Sequence, residues 1–195
     1  GHRRMKRILL FSLCACASAA LPTLADKPNV LVIITDDQGW ADIGYNNPNV
    51  YTPNMDKLAA TGAKLTQHYV MPQCTPTRLA LFTGRYPGRL GISGLQASNR
   101  PLIPHGTLTM ATILKANGYR TYLTGKWHMG SWPEHGPNHH GFDYSYGGLA
   151  GAVGAYVHLY RAPQLVHENA ITWHRNHQII PGYENGTHVT DLITA

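Results

Sequence analysis

The sequence predicts an α/β domain whose largely parallel sheet is flanked by helices, and three observations carry that expectation. First, residues 29–35 read Asn-Val-Leu-Val-Ile-Ile-Thr, an unbroken β-branched run of the kind that a parallel sheet buries on both faces. Second, apolar runs of strand length alternate with capped helical segments along the chain. Third, polar residues follow two of those runs, Asp36-Asp37 and Lys126-Trp127-His128. Strand carboxyl ends are where open α/β sheets place their ligands.

Taken in order, residues 1–25 read as an export signal and residues 26–195 as the domain. The basic start from His2 to Arg7 precedes the apolar run 8–17, then small residues through Ala20 and Ala25. That run is too short for a stable membrane span. Met5 is the expected first translated residue. The stretch Leu13-Cys14-Ala15-Cys16 also resembles a bacterial lipoprotein cleavage site, in which Cys16 would be acylated. The expected location is therefore outside the cytoplasm: secreted, periplasmic or lysosomal according to the organism.

The formal charge of +6 over 195 residues is largely local to that segment. It holds four of the 16 Lys and Arg residues and no acid, leaving twelve basic against ten acidic side chains in the rest. With no basic stripe interleaved by aromatics, nucleic-acid binding is a poor reading and no nucleic-acid partner is expected.

After the linker 26–28 and the run 29–35, Asp36-Asp37-Gln38-Gly39-Trp40 sets two carboxylates side by side. Adjacent like charges repel, so an ordered pair needs a cation or a basic partner. Hard oxygen ligands of this kind suit Ca²⁺ or Mg²⁺. The plainer reading of Asp-Asp before Gly is a solvated turn. Thr52-Pro53 caps a helix over 54–61, closed by Gly62. Residues 63–70 read as a second strand feeding the loop of Cys74. Pro76, with Thr75 before it as cap, starts a helix with an apolar face of Leu79, Leu81 and Phe82 and a stop at Gly84. A further helix spans 107–117, with apolar Leu108, Ala111, Ile113 and Leu114, and Gly118 ends it. A third strand covers 119–124.

Cys74 thus stands just ahead of a helix N-terminus, where free N–H groups and the dipole favour an anion. Arg78, one turn in, can fork towards the same spot. Lys126 and His128 would face one crevice if the third strand stays extended. Lysine gives a compact positive charge, and histidine exchanges protons near neutral pH. Each feature alone is also an ordinary loop residue. With residues 1–25 set aside, Cys74 is the only thiol, and a lone thiol in an exported chain asks for a chemical role.

Together these stretches carry a resemblance. The spacing Cys74-x-Pro76-x-Arg78 resembles the signature of the sulfatase family, with Gln73 where that family usually has an aliphatic or small residue. The run 118–128, Gly-Tyr-Arg-Thr-Tyr-Leu-Thr-Gly-Lys-Trp-His, is similar to its second signature, Thr124 being a mild departure. Asp36-Asp37-Gln38-Gly39-Trp40 resembles its first metal-binding stretch. Thr52-Pro53-Asn54-Met55-Asp56, Thr83-Gly84-Arg85-Tyr86 and His140-Gly141-Phe142-Asp143 match further landmarks in order. From Lys27 onward the chain resembles the N-terminal portion of an arylsulfatase-type enzyme of the alkaline-phosphatase-like superfamily.

The resemblance implies that a formylglycine-generating or equivalent maturation enzyme oxidises Cys74 to formylglycine, whose hydrate is the nucleophile. It implies a divalent cation, Ca²⁺ before Mg²⁺, held by Asp36, Asp37 and the modified Cys74. Arg78 would orient the hydrate, Lys126 would bind the sulfate, and His128 would hydrogen-bond the hydrate and take a proton. One hydroxyl attacks sulfur and the alcohol or phenol leaves; the second then expels sulfate and restores the aldehyde. The substrate is a sulfate ester, aryl or carbohydrate. The family's remaining metal ligands, typically an Asp-Asn pair, and another lysine and histidine come from later in a longer chain. The expectation is therefore a truncated domain with low or no turnover by itself.

Rival readings differ at named positions. A phosphatase or phosphodiesterase of the same superfamily would carry threonine or serine at position 74. A thiol-based tyrosine phosphatase needs five residues between cysteine and arginine, where this chain has three. From another class, the chain would be a catalytically inactive secreted domain that binds sulfated glycans. Downstream, residues 147–155 read as a small, flexible substrate-side loop without phosphate-loop spacing. His135, His139, His140, His158, His167, His174, His177 and His188 form no closed zinc pattern with cysteine and read mostly as surface residues. Asn185-Gly186-Thr187 is a glycosylation sequon.

Overall fold

The computed structural model describes residues 27–97, 99–156, 171–180 and 186–195. The expected export signal, with Cys14 and Cys16, lies outside the described residues, as do His158, His167 and Asn185. The chain divides into two units, 1–34 and Thr35–Ala195.

In the first unit, residues 27–34 form neither helix nor strand, and Val30, Leu31, Val32 and Ile33 are exposed. The strand expected over 29–35 is therefore not formed. A strand exists through its ladder, and β-branched composition supplies no partner. The same correction applies in the second unit to residues 63–70, which run without strand pairing and expose Leu65, Tyr69 and Val70.

The second unit is built on four helices and a four-stranded mixed sheet among the described residues. Helix α1 spans Pro53–Thr61, with proline at its first turn and Gly62 at its end. Thr52 does not cap it with its side chain; the hydroxyl accepts from Gly44 N at 2.7 Å and donates to Asp56 Oδ1 at 3.0 Å. Helix α2 spans Cys74–Thr83 and stops at Gly84, whose left-handed φ of 65° suits a residue without Cβ. Helix α3 spans Met110–Ala116, three residues later than the expected start at Thr107. Thr109 and Thr112 form a reciprocal capping box there, and that box fixes the first turn. Helix α4 spans Val189–Thr194.

The strands are β1 Tyr122–Lys126, β2 Tyr144–Gly148, β3 Trp173–Arg175 and β4 Gln178–Ile179, in that spatial order. Strands β1 and β2 are parallel, with Lys126 beside Gly148; β2–β3 and β3–β4 are antiparallel. β1 begins later than expected because Thr121 is engaged elsewhere. Its N–H donates to Asp143 Oδ2 at 3.0 Å and its hydroxyl to the Gly141 carbonyl at 2.7 Å. Leu123 points inward between exposed Tyr122 and Thr124, the period-2 pattern of a half-buried strand. Gly147, at φ 139°, lies so close to β1 that a Cβ would stand 2.1 Å from the Gly125 carbonyl oxygen. That approach admits only glycine.

The core joins Leu79 and Phe82 of α2 to Ala111 of α3, Leu123 of β1, and Trp127, Met129, Phe142 and Leu149 around the sheet end. Each of the leucine, phenylalanine and methionine side chains among them contributes about 1.5–3 kcal/mol by leaving water. Residues 147–150 are buried in this core, so the expected flexible loop starts only after them. Two of the histidines expected at the surface are interior as well. His140 stacks on Trp127 with centroids 5.6 Å apart, and His174 Nδ1 donates to the Gly147 carbonyl at 2.7 Å.

Candidate functional site

The carboxyl end of β1 and the start of α2 meet at the site. Cys74 is the first residue of α2, partly exposed and in no disulfide. Gln73 holds the N-cap position, and the expected cap Thr75 is wholly buried. Arg78 follows one turn later, so both side chains lie on one face of the helix. Arg78 is buried to 6% exposure, and its Nη1 donates to the Lys126 carbonyl at 2.5 Å, tying the helix to the end of β1.

Asp36 completes the cluster. Lys126 Nζ lies 2.6 Å from Asp36 Oδ2, and Arg78 Nη2 lies 3.8 Å from Asp36 Oδ1. One carboxylate therefore bridges two cations from separate elements. Burial pulls the Arg78 guanidinium below its ordinary value; Asp36 chiefly opposes this, followed by the negative charge available at Cys74 and by Asp37. Asp37 itself sits at φ 55°, a left-handed conformation that aspartate tolerates.

His128 lies two residues beyond Lys126, in a left-handed backbone at φ 60° and almost fully buried. Its Nε2 stands 3.4 Å from Thr75 Oγ1, while Nδ1 is buried with no hydrogen-bond partner among the described residues. Burial first, then the charges of Lys126 and Arg78, push this histidine down to about 4, with Asp36 opposing. The imidazole is accordingly neutral at neutral pH.

The structure thus brings Asp36, Cys74, Arg78, Lys126 and His128 to one region, with Asp37 adjoining in sequence. Among the described residues no group of three or more His, Cys, Asp or Glu side chains is arranged to hold a metal ion. Both oxygens of Asp36 face cations instead. The residues present do not by themselves fit the six to eight oxygen ligands that Ca²⁺ takes. Two participants were not legible beforehand. Thr75 read as a helix cap, and Gly151, which faces the His128 ring, gave no signal beyond a run of small residues.

The end of β1 thus gathers two cations and a neutral histidine around the start of α2 in an α/β domain. The sulfatase family model matches residues 28–185. Arylsulfatase A of Bos taurus is 45% identical over 139 residues, covering 68% of this chain and 27% of that protein. Steryl-sulfatase of Homo sapiens is 42% identical over 162 residues, covering 74% and 27%. The solved structure of Ps i-CgsB matches with a TM-score of 0.71 at 32% identity, over 85% of this chain and 39% of that one. The chain belongs to the sulfatase family and has its alkaline-phosphatase-like fold. It spans 27% of the length of each of these two curated relatives.

Proposed function

We propose that this chain is the nucleophile-bearing part of a sulfuric ester hydrolase acting on an aryl or carbohydrate sulfate. The observation that carries the reading is the joining of α2 to β1 by Arg78 and Lys126 around the approach to Cys74. Formylglycine made from Cys74 would supply a hydroxyl nucleophile and a second hydroxyl whose deprotonation drives release of sulfate.

The chain's own residues do the rest. Lys126 and Arg78 offer positive charge in fixed positions, one on each side of Asp36, where a tetrahedral anion gains most from preorganised donors. The buried guanidinium is held by the Lys126 carbonyl, so it need not reorganise when charge develops. His128, neutral above about pH 4, is in the state that accepts a proton. Asp36 and Asp37 remain the expected part of a divalent-cation ligand set, Ca²⁺ before Mg²⁺. Asp36 is already paired with Lys126 and Arg78. A maturation enzyme that oxidises Cys74 and export through residues 1–25 belong to the same proposal. Among the described residues no helix is long and apolar enough to cross a membrane.

Mass spectrometry of the tryptic peptide containing residue 74, after expression with a formylglycine-generating enzyme, tests the reading. The expected peptide carries the aldehyde, and in a chain extended to the length of its relatives Cys74→Ala lowers release of sulfate from 4-nitrophenyl sulfate on the order of 10³-fold or more. A persistent thiol, or an unchanged rate in Cys74→Ala, overturns it.

A further inference from the structure

We propose that Gly151 and Thr75 are positioning residues for His128: the missing side chain at 151 leaves the slot that the imidazole occupies, and the Thr75 hydroxyl fixes which ring nitrogen faces it. This rests on the hydrolase reading for its catalytic meaning, but its geometry stands independently.

The slot is tight. A Cβ built at Gly151 would lie 2.4 Å from His128 Nε2, 2.5 Å from Cε1 and 2.9 Å from Cδ2. Its backbone does not lie in the left-handed region, in contrast to Gly147 at φ 139°. Glycine at 151 is therefore required for room and not for conformation. Neither partner can retreat cheaply. His128 N donates to the Leu149 carbonyl at 3.0 Å, Trp127 N to the Gly148 carbonyl at 2.9 Å, and Leu149 N to the Thr172 carbonyl at 2.9 Å. The first two bonds continue the β1–β2 pairing past Lys126, the third continues β2–β3, and together they hold both main chains in place. Leu149 and Ala150 are themselves fully buried.

Thr75 closes the other side. It is wholly buried at the start of α2, next to Cys74, and its hydroxyl lies 3.4 Å from His128 Nε2. With Nε2 turned to Thr75 and Gly151, Nδ1 is buried with no hydrogen-bond partner among the described residues. A histidine that serves a reacting group needs a fixed tautomer and a ring unable to swing.

Two-bond ¹H–¹⁵N NMR of the histidine side chains reads tautomer and ring environment without any turnover. Gly151→Ala is expected to move the His128 ring resonances, while Gly88→Ala leaves them in place, because a Cβ at Gly88 meets nothing within 4 Å. Coincident His128 resonances in Gly151→Ala and the unmodified protein overturn the proposal. Should Gly151→Ala fail to fold, the Thr75 pair decides. Thr75→Val shifts the ring and Thr75→Ser restores it if the proposal holds, and Val leaving the ring unmoved overturns it. In a chain extended to the length of its relatives and assayed with 4-nitrophenyl sulfate, Gly151→Ala should lower kcat about 100-fold with KM little changed, and alter the pH profile. A displaced ring together with a persistent thiol at residue 74 supports the positioning claim and refutes the hydrolase reading.

Discussion

Residues 35–71 and 74–151 belong to one unit yet are held by different means. The first stretch buries a single large hydrophobic side chain, Ile43, and α1 buries none of its nine residues. The second contains most of the core, and α2 buries five of its ten residues. The contrast runs into the site itself. Arg78 and His128 are set by burial and by main-chain hydrogen bonds, whereas Asp36 joins them through ionic contacts from a side chain 41% exposed. Exposed ion pairs contribute about 0–1 kcal/mol, so the carboxylate is the adjustable member of the cluster and the cations are the fixed ones.

The contrast is tested most severely at Trp127. Its ring is fully buried, packs on Phe82 at a centroid distance of 4.9 Å, and its indole N–H donates to the His135 carbonyl at 2.8 Å. It also lies between Lys126 and His128. Trp127→Ala should cost about 3–5 kcal/mol in chemical denaturation. A loss below about 1 kcal/mol would show that the 74–151 stretch is no better packed than its neighbour.

Acid offers a finer probe. His128, His140 and His174 are each pushed down to about 4 in the folded protein, burial being the first cause, from an ordinary value of 6.5. Unfolded chains bind these protons as pH falls through 6.5, while the folded protein does so only near 4. Stability from these groups is therefore complete above about pH 6.5 and is lost as pH falls towards 4, by about 1.4 kcal/mol per pH unit for each histidine. His140 sharpens the point. Both its ring nitrogens are buried without a partner among the described residues, and around it stand His105, His135 and His139, with Glu134 beside His139 and His177 against it. His140→Phe keeps the stacks on Trp127 and His105 and removes one proton from the balance. It should raise stability by about 1–3 kcal/mol at pH 5 and flatten the pH slope of thermal unfolding by one histidine's worth. An unchanged slope would mean that the His140 ring is not buried in solution.

The same division governs what could be read in advance. Helix α2, its stop at Gly84 and the residues Cys74 and Arg78 one turn apart follow from local rules of proline, capping and helical spacing. Lys126 and His128 followed from the strand before them. The α/β class and family were legible for that reason. The runs at 29–35 and 63–70 were misread as formed strands because pairing is non-local, and side-chain composition carries no partner. Thr75 was misread because a hydroxyl before proline at a helix start usually caps it. Here Gln73 takes the cap position and Thr75 turns inward to His128, a contact spanning 53 residues that no local pattern encodes. Gly151 was invisible for a related reason, since a glycine's need for room shows only once the ring opposite it is placed.

The smallest expected effect is the one able to undo the comparison. Leu65 is 73% exposed in a segment without strand pairing. Leu65→Ser should change stability by no more than about 0.5 kcal/mol, the range for surface positions away from packing. A cost near 2 kcal/mol would mean that this side chain is covered in solution, because removing an exposed apolar group forfeits no burial. The 35–71 stretch would then be a packed layer, and Asp36 would be fixed by its backbone as firmly as Arg78 is by the core. Measuring Leu65→Ser beside Trp127→Ala under identical denaturant conditions separates the two descriptions, since one demands a large difference between the variants and the other a small one.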